Sequence, residues 1–386
     1  MRYILILFIV FIYIGCGIDS SKDDYRFFLY RLFKTEYFWK DKVQRDSSYY
    51  LYSNPQEMID GLKYKAKDRW SMVLTKSQNN NFLNQKATGF GFSYTLENNN
   101  STIVFVRIDS PANKAGIKRG DLLLKVDNKN ITYQNILEAT KNLDSNSQFL
   151  IYRPSIDKNI TINITSQEYT FKVTSSSIVL SDIGQEVGYL RLDSFTAEAT
   201  EEIESAFDFF KSKNIQNLII DMRYNSGGSI ITASILLDKL LRDRDEEIQF
   251  SLRWNSDFQN KNEVGRFETD NNSLDLDKII FLTSRATASA SELVINALKP
   301  YKGSDIVLVG DRTYGKPVGM EGKTDGKYIF YLVNFVISNA DGFYNYFNGL
   351  DVTNGCSAVD DLTHQLGDRE ESMLKKALFY IDNGRC

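Results

Sequence analysis

Histidine is nearly absent from this 386-residue chain, and His364 is the only one. A catalytic arrangement that needs an imidazole must use that one residue near the C-terminus, where no acidic neighbour is recognisably placed to orient it. Cysteine is scarce as well, with only Cys16, Cys356 and Cys386. Together with the lack of an HExxH arrangement, this excludes the common cysteine- and histidine-based metal centres. No Walker-type phosphate loop is present, so chemistry driven by nucleotide hydrolysis is not expected, and no cofactor is implied. The net charge is −4 and no basic block occurs, so nucleic acid is not an expected partner. The apolar run from Ile4 to Ile14 is too short to span a bilayer comfortably.

What is present suits a chain of two or three domains with a sizeable core, since 42% of residues are hydrophobic. Residues 1–16 read as an export signal. Arg2 gives the positive start, and the apolar run ends in Tyr13-Ile14-Gly15-Cys16, similar to a bacterial lipobox. Acylation of Cys16 would anchor the protein to a membrane in the cell envelope, facing the periplasm or the exterior. Outside the cytoplasm disulfides are permitted. Spacing alone leaves open whether Cys356 and Cys386 pair. Residues 17–80 begin with a polar tether and continue into an aromatic-rich stretch (Tyr25, Phe28, Phe33, Tyr37, Trp39). Spacings of three and four predict a small helical module packed on the body, with a second helix from Asn54 through Leu62 and Tyr64.

Between residues 87 and 167, Gly89-Phe90-Gly91-Phe92 precedes two strands. Ser110-Pro111-Ala112 through Gly116-Ile117 and then Gly120-Asp121-Leu122 follow. In this order the segments resemble a PDZ domain. The resemblance implies that the Gly89–Phe92 loop holds a peptide carboxylate on backbone amides while the peptide adds to the sheet edge, with Tyr133–Leu143 as the other wall.

From residue 170 to 386 strands and helices alternate, which predicts a largely parallel sheet. The stretch Thr283 to Leu293 is central. An apolar strand (Lys278–Leu282) turns through small hydroxyl residues into a helix, leaving free amides where a negative charge can be held. A serine there can attack a carbonyl; it can equally serve as a plain helix cap. Downstream, the strand Val307–Val309 enters a glycine-flanked loop bearing Lys316. A lysine made neutral by burial can act as the base without histidine.

Thr287 to Glu292, Thr313-Tyr314-Gly315-Lys316 and Leu218–Gly228 together resemble the S41 family of C-terminal processing peptidases. That resemblance implies a mixed α/β fold with a crotonase- or Clp-like peptidase core. It implies Ser289 rather than Ser291 as nucleophile, Lys316 as base, and the amides of Gly228 and Ala290 as oxyanion donors. Met320 stands where many members carry a glutamine. The expected function is an exported serine endopeptidase acting on unstructured or C-terminal tails. A catalytically silent peptide-binding lipoprotein and a crotonase-like acyl-CoA enzyme are the alternatives. Residues 243–275 are polar and read as a surface excursion, and His364 reads as a packing or capping residue.

Overall fold

The structure is a computed structural model that describes residues 25–43, 48–83, 85–97, 100–352 and 355–386. The expected signal, the Cys16 lipidation site and the polar tether lie outside the described residues.

Helices α1 (Tyr25–Thr35) and α2 (Pro55–Leu62) open the described chain. Asn54 caps α2 by accepting from the Glu57 amide (2.9 Å), and Pro55 occupies the first turn, where no intrahelical N–H is lost. The helix ends at Leu62, so Tyr64 lies beyond it. Strand β1 (Met72–Thr75) and helix α3 (Lys76–Leu83) follow. The buried faces of α1 and α2 do not close on themselves. Leu29, Phe33, Met58 and Ile59 share one cluster with Phe330, Val333 and Val336 from near the other end of the chain.

Strand β2 (Lys86–Gly89) leads into the second unit. This contains β3 (Phe92–Glu97), β4 (Asn100–Val106), α4 (Pro111–Lys114), β5 (Leu122–Val126), β6 (Lys129–Asn130), α5 (Tyr133–Lys141), β7 (Asn146–Arg153) and β8 (Lys158–Thr165). Its antiparallel sheet runs β3-β4-β5-β7-β8, which leaves β3 at an edge where a peptide strand can add. Strand β9 (Gln167–Thr170) pairs back onto β2.

The third unit begins with β10 (Thr174–Leu180), β11 (Glu186–Leu192), α6 (Ala199–Ser212), β12 (Asn217–Asp221) and α7 (Ile230–Leu240). It continues with β13 (Ile248–Trp254), β14 (Glu263–Arg266), β15 (Lys278–Thr283), α8 (Ala290–Lys302) and β16 (Ile306–Gly310). It closes with β17 (Val318–Thr324), β18 (Tyr328–Ser338), β19 (Cys356–Ser357) and α9 (Ser372–Asn383). One sheet has the order β10-β11-β12-β15-β16-β19 and is parallel except for β10. Strands β12 and β16 are buried along their whole length, as expected of a parallel sheet covered on both faces. Cys356 on β19 is bonded to Cys386 after α9 (Cα–Cα 5.4 Å), fixing the chain end to the sheet edge.

A second sheet corrects one sequence expectation. Its order is β1-β18-β13-β14, with β17 also on β18, so residues from three distant parts of the chain form it. Residues 243–275 are therefore not a surface excursion. Strand β13 lies inside this sheet, and Phe250, Leu252 and Trp254 on it are buried. The alternation Ile248-Gln249-Phe250-Ser251-Leu252-Arg253-Trp254 is the period of a half-buried strand and was the available signal.

Candidate active site

Strand β15 ends at Thr283, and six residues later the chain reaches Ser289, the N-cap of α8, at φ 58° and ψ −115°. A non-glycine residue rarely occupies this region, and holding it there costs on the order of 1–3 kcal/mol. The surrounding hydrogen bonds fix it. Thr287 Oγ1 donates to the Met222 carbonyl (2.8 Å), and the Ala288 amide and Ser291 Oγ both donate to the Asn225 carbonyl (3.1 Å each). Ser291 is fully buried and committed to this tie. Ser289 instead lines an open hollow of about 900 Å³.

Asn225 also shapes the facing loop. Its Oδ1 accepts from the Gly227 amide (2.8 Å) and its Nδ2 donates to the Leu192 carbonyl (3.0 Å). Gly227 must be glycine: its φ is 102°, and a Cβ there would lie 2.7 Å from the Ser289 Cβ and 2.9 Å from the Ala290 nitrogen. The amides of Phe195 and Ser229 bond across this loop (3.1 and 2.6 Å) and hold it against β11's continuation. The amides of Gly228 and Ala290 have no hydrogen-bond partner among the described residues. Gly228 lines the hollow. Ala290 itself is buried beneath it, with its nitrogen packed against Gly227. Two uncommitted amides beside a strained serine form a place where an oxyanion would be stabilised.

Lys316 lines the same hollow from the loop between β16 and β17. Burial brings its pKa down to about 8, while the negative charges of Glu292 and Asp68 resist the shift. Near neutrality a usable share of this amine is uncharged. The loop is clamped from two sides. Glu292, fully buried in the first turn of α8, accepts from Thr313 Oγ1 (2.5 Å) and from the amides of Gly315 (2.6 Å), Lys316 (2.7 Å) and Ser289 (2.9 Å). One carboxylate thus joins the serine turn to the lysine loop. From the other side Arg69 donates to the carbonyls of Gly315 (3.3 Å) and Phe347 (2.9 Å). The hollow's remaining walls are mostly apolar, with Leu252, Trp254, Phe335 and Ile337 among them.

The sequence profile of peptidase family S41 matches residues 186–331, that of the PDZ domain 102–151, and that of the peptidase S41 N-terminal domain 26–72. The chain belongs to peptidase family S41. Its relatives include a "C-terminal processing peptidase, chloroplastic" of Tetradesmus obliquus, 28% identical over 247 residues, covering 59% of this chain and 51% of that protein. A "Carboxy-terminal-processing protease" of Bartonella bacilliformis is 30% identical over 237 residues, with the same coverage of 59% and 51%. The chain thus spans about half the length of these curated relatives. A solved chain from Bacteroides fragilis NCTC 9343, assigned as an S41 protease, has a TM-score of 0.79 at 23% identity and covers 95% of this chain and 99% of its own. The photosystem II D1 C-terminal processing protease gives 0.55 at 18% identity, covering 88% and 94%. These two structures share the fold.

In this S41 chain the structure brings Ser289, Lys316 and Gly228 to one hollow, with the Ala290 amide beside them. The Gly89–Phe92 loop lies in the PDZ unit, away from that hollow. The Phe90 side chain belongs to the PDZ core, so only the loop backbone is left for a ligand. Its carbonyls at Phe90 and Gly91 accept from the Ala112 and Arg107 amides, whereas the amides of Phe90 and Gly91 have no partner among the described residues. Met320 lines the hollow shared by Ser289 and Lys316, where it adds an apolar surface. His364 does have an acidic partner: its Nδ1 lies 2.7 Å from Asp361, which raises its pKa. That pair stands outside the hollow.

Sequence reasoning missed Asn225, Asp68, Arg69 and the role of Glu292. Only Glu292 carried a signal, because an acidic residue three positions after an N-cap serine marks a capping box. The PDZ unit docks on the peptidase through Arg119, which is buried and donates to Tyr224 and Asp360. Asp360 in turn accepts from Arg223 (2.8 Å), just upstream of Asn225.

Proposed function

We propose that this S41 chain is an exported, lipid-anchored serine endopeptidase that cleaves unstructured or C-terminal tails with a Ser289–Lys316 dyad. The observation that carries the reading is a half-buried lysine, its pKa brought down to about 8, sharing one hollow with a strained serine flanked by two unpartnered amides.

In the proposed reaction neutral Lys316 accepts the Ser289 proton as Oγ bonds to the scissile carbonyl carbon. The carbonyl oxygen becomes negative and is held by the Gly228 and Ala290 amides. When the C–N bond breaks, the Lys316 ammonium returns its proton to the leaving amine. A water then attacks the ester, giving its proton to Lys316, and the acid leaves as Ser289 is restored. Glu292 fixes the spacing of the two residues and, by its charge, keeps the lysine from becoming too weak a base. The apolar walls favour an apolar side chain next to the scissile bond. The relatives' names, which speak of carboxy-terminal processing, support tails as substrates. The PDZ unit supports capture of a peptide along β3. Residues 1–16 support export and anchoring through Cys16.

The test is incubation of the full chain with an unfolded protein carrying an apolar C-terminal tail, followed by mass spectrometry of the products. Cleavage lost in Ser289→Ala, with the far-UV spectrum and Tm unchanged, is the expected result. Full activity in that variant would remove Ser289 from the mechanism. Export is tested separately by fractionation and by the mass of the mature N-terminus, where an unmodified Cys16 would contradict the anchor.

A further inference from the structure

A second hollow, of about 450 Å³, lies where the PDZ sheet meets the peptidase unit. Ser226 lines both this hollow and the catalytic one, and it immediately precedes the Gly227-Gly228 loop. Because Ser226 borders both hollows, an extended polypeptide that crosses the Ser289 hollow can continue into this one. The hollow is not the PDZ peptide groove. Phe92, Tyr94 and Val106 pack into the PDZ core on the groove side of the sheet, whereas Ser93 and Phe105 line the hollow. The Phe105 ring lies 5.3 Å from that of Tyr224 on the peptidase side.

Its charge is lopsided. Arg107 lines it, with the guanidinium held 4.2 Å over the Phe171 ring, and no oxygen accepts from that guanidinium among the described residues. Asp193 also lines the hollow, but both its oxygens already accept from Arg191 (2.8 and 2.7 Å). Lys86 adds a second cation, loosely paired with exposed Glu168 at 3.7 Å. Stacking on an aromatic face fixes the guanidinium plane and leaves its in-plane N–H groups for a planar two-oxygen acceptor.

We infer that this hollow is a carboxylate subsite, in which Arg107, backed by Lys86, receives a peptide carboxylate a few residues from the scissile bond. The proposal deepens the peptidase reading and rests on it for the position of that bond. The carboxylate can be the chain terminus or an Asp or Glu side chain. A terminal carboxylate would restrict the released fragment to a few residues; a side chain would set a preferred cleavage context instead.

The test uses three fluorescent peptides of one apolar sequence: a free acid, its C-terminal amide, and an amide with one internal glutamate. Binding is read by anisotropy on the full chain with Ser289→Ala, and turnover on the unmodified chain. A preference of about tenfold or more for one of the carboxylate-bearing peptides over the plain amide is expected, and which peptide wins identifies the source. Arg107→Gln should collapse that preference towards unity, and Arg107→Lys should restore part of it. The subsite is overturned if binding ignores both carboxylates, or if Arg107→Gln weakens all three peptides equally. Turnover without carboxylate preference would sink the subsite and leave the peptidase standing. Carboxylate preference in binding without any turnover would do the reverse. Lys86→Gln, at an exposed position, should weaken the preferred peptide less than Arg107→Gln does and guards against misfolding as the cause.

Discussion

The serine and the lysine reach one hollow from regions built in different ways. Ser289 stands where the turn after β15, a strand of the parallel sheet, enters α8, and that turn is tied to the neighbouring strand end through Met222 and Asn225. Lys316 stands on a loop held by groups from elsewhere: Glu292 from α8, and Arg69 with the charge of Asp68 from the N-terminal module. The first region sets a strained backbone conformation. The second sets a basicity. Catalysis of the proposed kind needs both, and the Glu292 side chain is bonded to each.

The sharpest way to break the pairing is to remove either member. Ser289→Ala and Lys316→Ala should each reduce kcat/KM by at least about 10³-fold, with the fold intact, as measured by cleavage of a labelled tail. Comparable losses in both variants and in the double variant would mark the two as one unit, whereas multiplying losses would mean they act separately.

Proton linkage distinguishes the two regions next. The Lys316 pKa is lowered to about 8 by burial, so kcat/KM should rise about tenfold per pH unit up to that point and then level. Between pH 6 and the plateau this amounts to about 100-fold. Because the folded pKa lies below the unfolded one, the unfolded chain binds the proton more tightly. The burden on stability is therefore full below about pH 8 and lifts as the pH rises towards the ordinary lysine value. Lys316→Met should accordingly raise Tm at pH 7, with a gain that shrinks by pH 10. A flat rate profile or a pH-independent Tm difference would contradict a buried base.

Glu292→Gln tests the link between the regions. Loss of its charge removes an interaction that raises the Lys316 pKa, so the acid limb should move to lower pH. The weakened grip on the Gly315 and Lys316 amides should lower the plateau by about tenfold or more. A limb moving to higher pH would show that the carboxylate acts otherwise.

Arg69→Ala carries the smallest expected effect. It frees only the outer side of the lysine loop, so kcat should fall several-fold, the acid limb should stay near pH 8, and Tm should drop by a few degrees at most. A loss as large as that of Lys316→Ala would make the N-terminal module a full part of the machinery.

Much of the serine region was legible because its determinants are local. Residues 278–293 hold the strand, the turn and the first helical turn in sixteen consecutive positions, and Gly227-Gly228 ends its own strand in the same way. Hydrophobic period and small residues at a junction suffice to read such a unit. For the lysine loop the position and the expectation that burial lowers the pKa were readable. That Arg69 and the charge of Asp68 would stand beside it depends on a segment some 250 residues away in sequence. The same limit explains the misreading of 243–275. Its polar composition suggested solvent, while its alternation belonged to β13, whose partner β18 lies far downstream.

The sequence by itself determined which elements form and which residue types stand at their junctions, including Ser289, Lys316, the glycine pair and the order of the three units. Backbone propensity and the periods of helix and strand act over a handful of neighbours, so these features are written locally. Only the tertiary structure decided that Cys356 meets Cys386, that β1, β13 and β18 share a sheet, and that Glu292 and Arg69 grip one loop. Those outcomes depend on which buried faces and charges meet across the fold, and no local pattern encodes the partner.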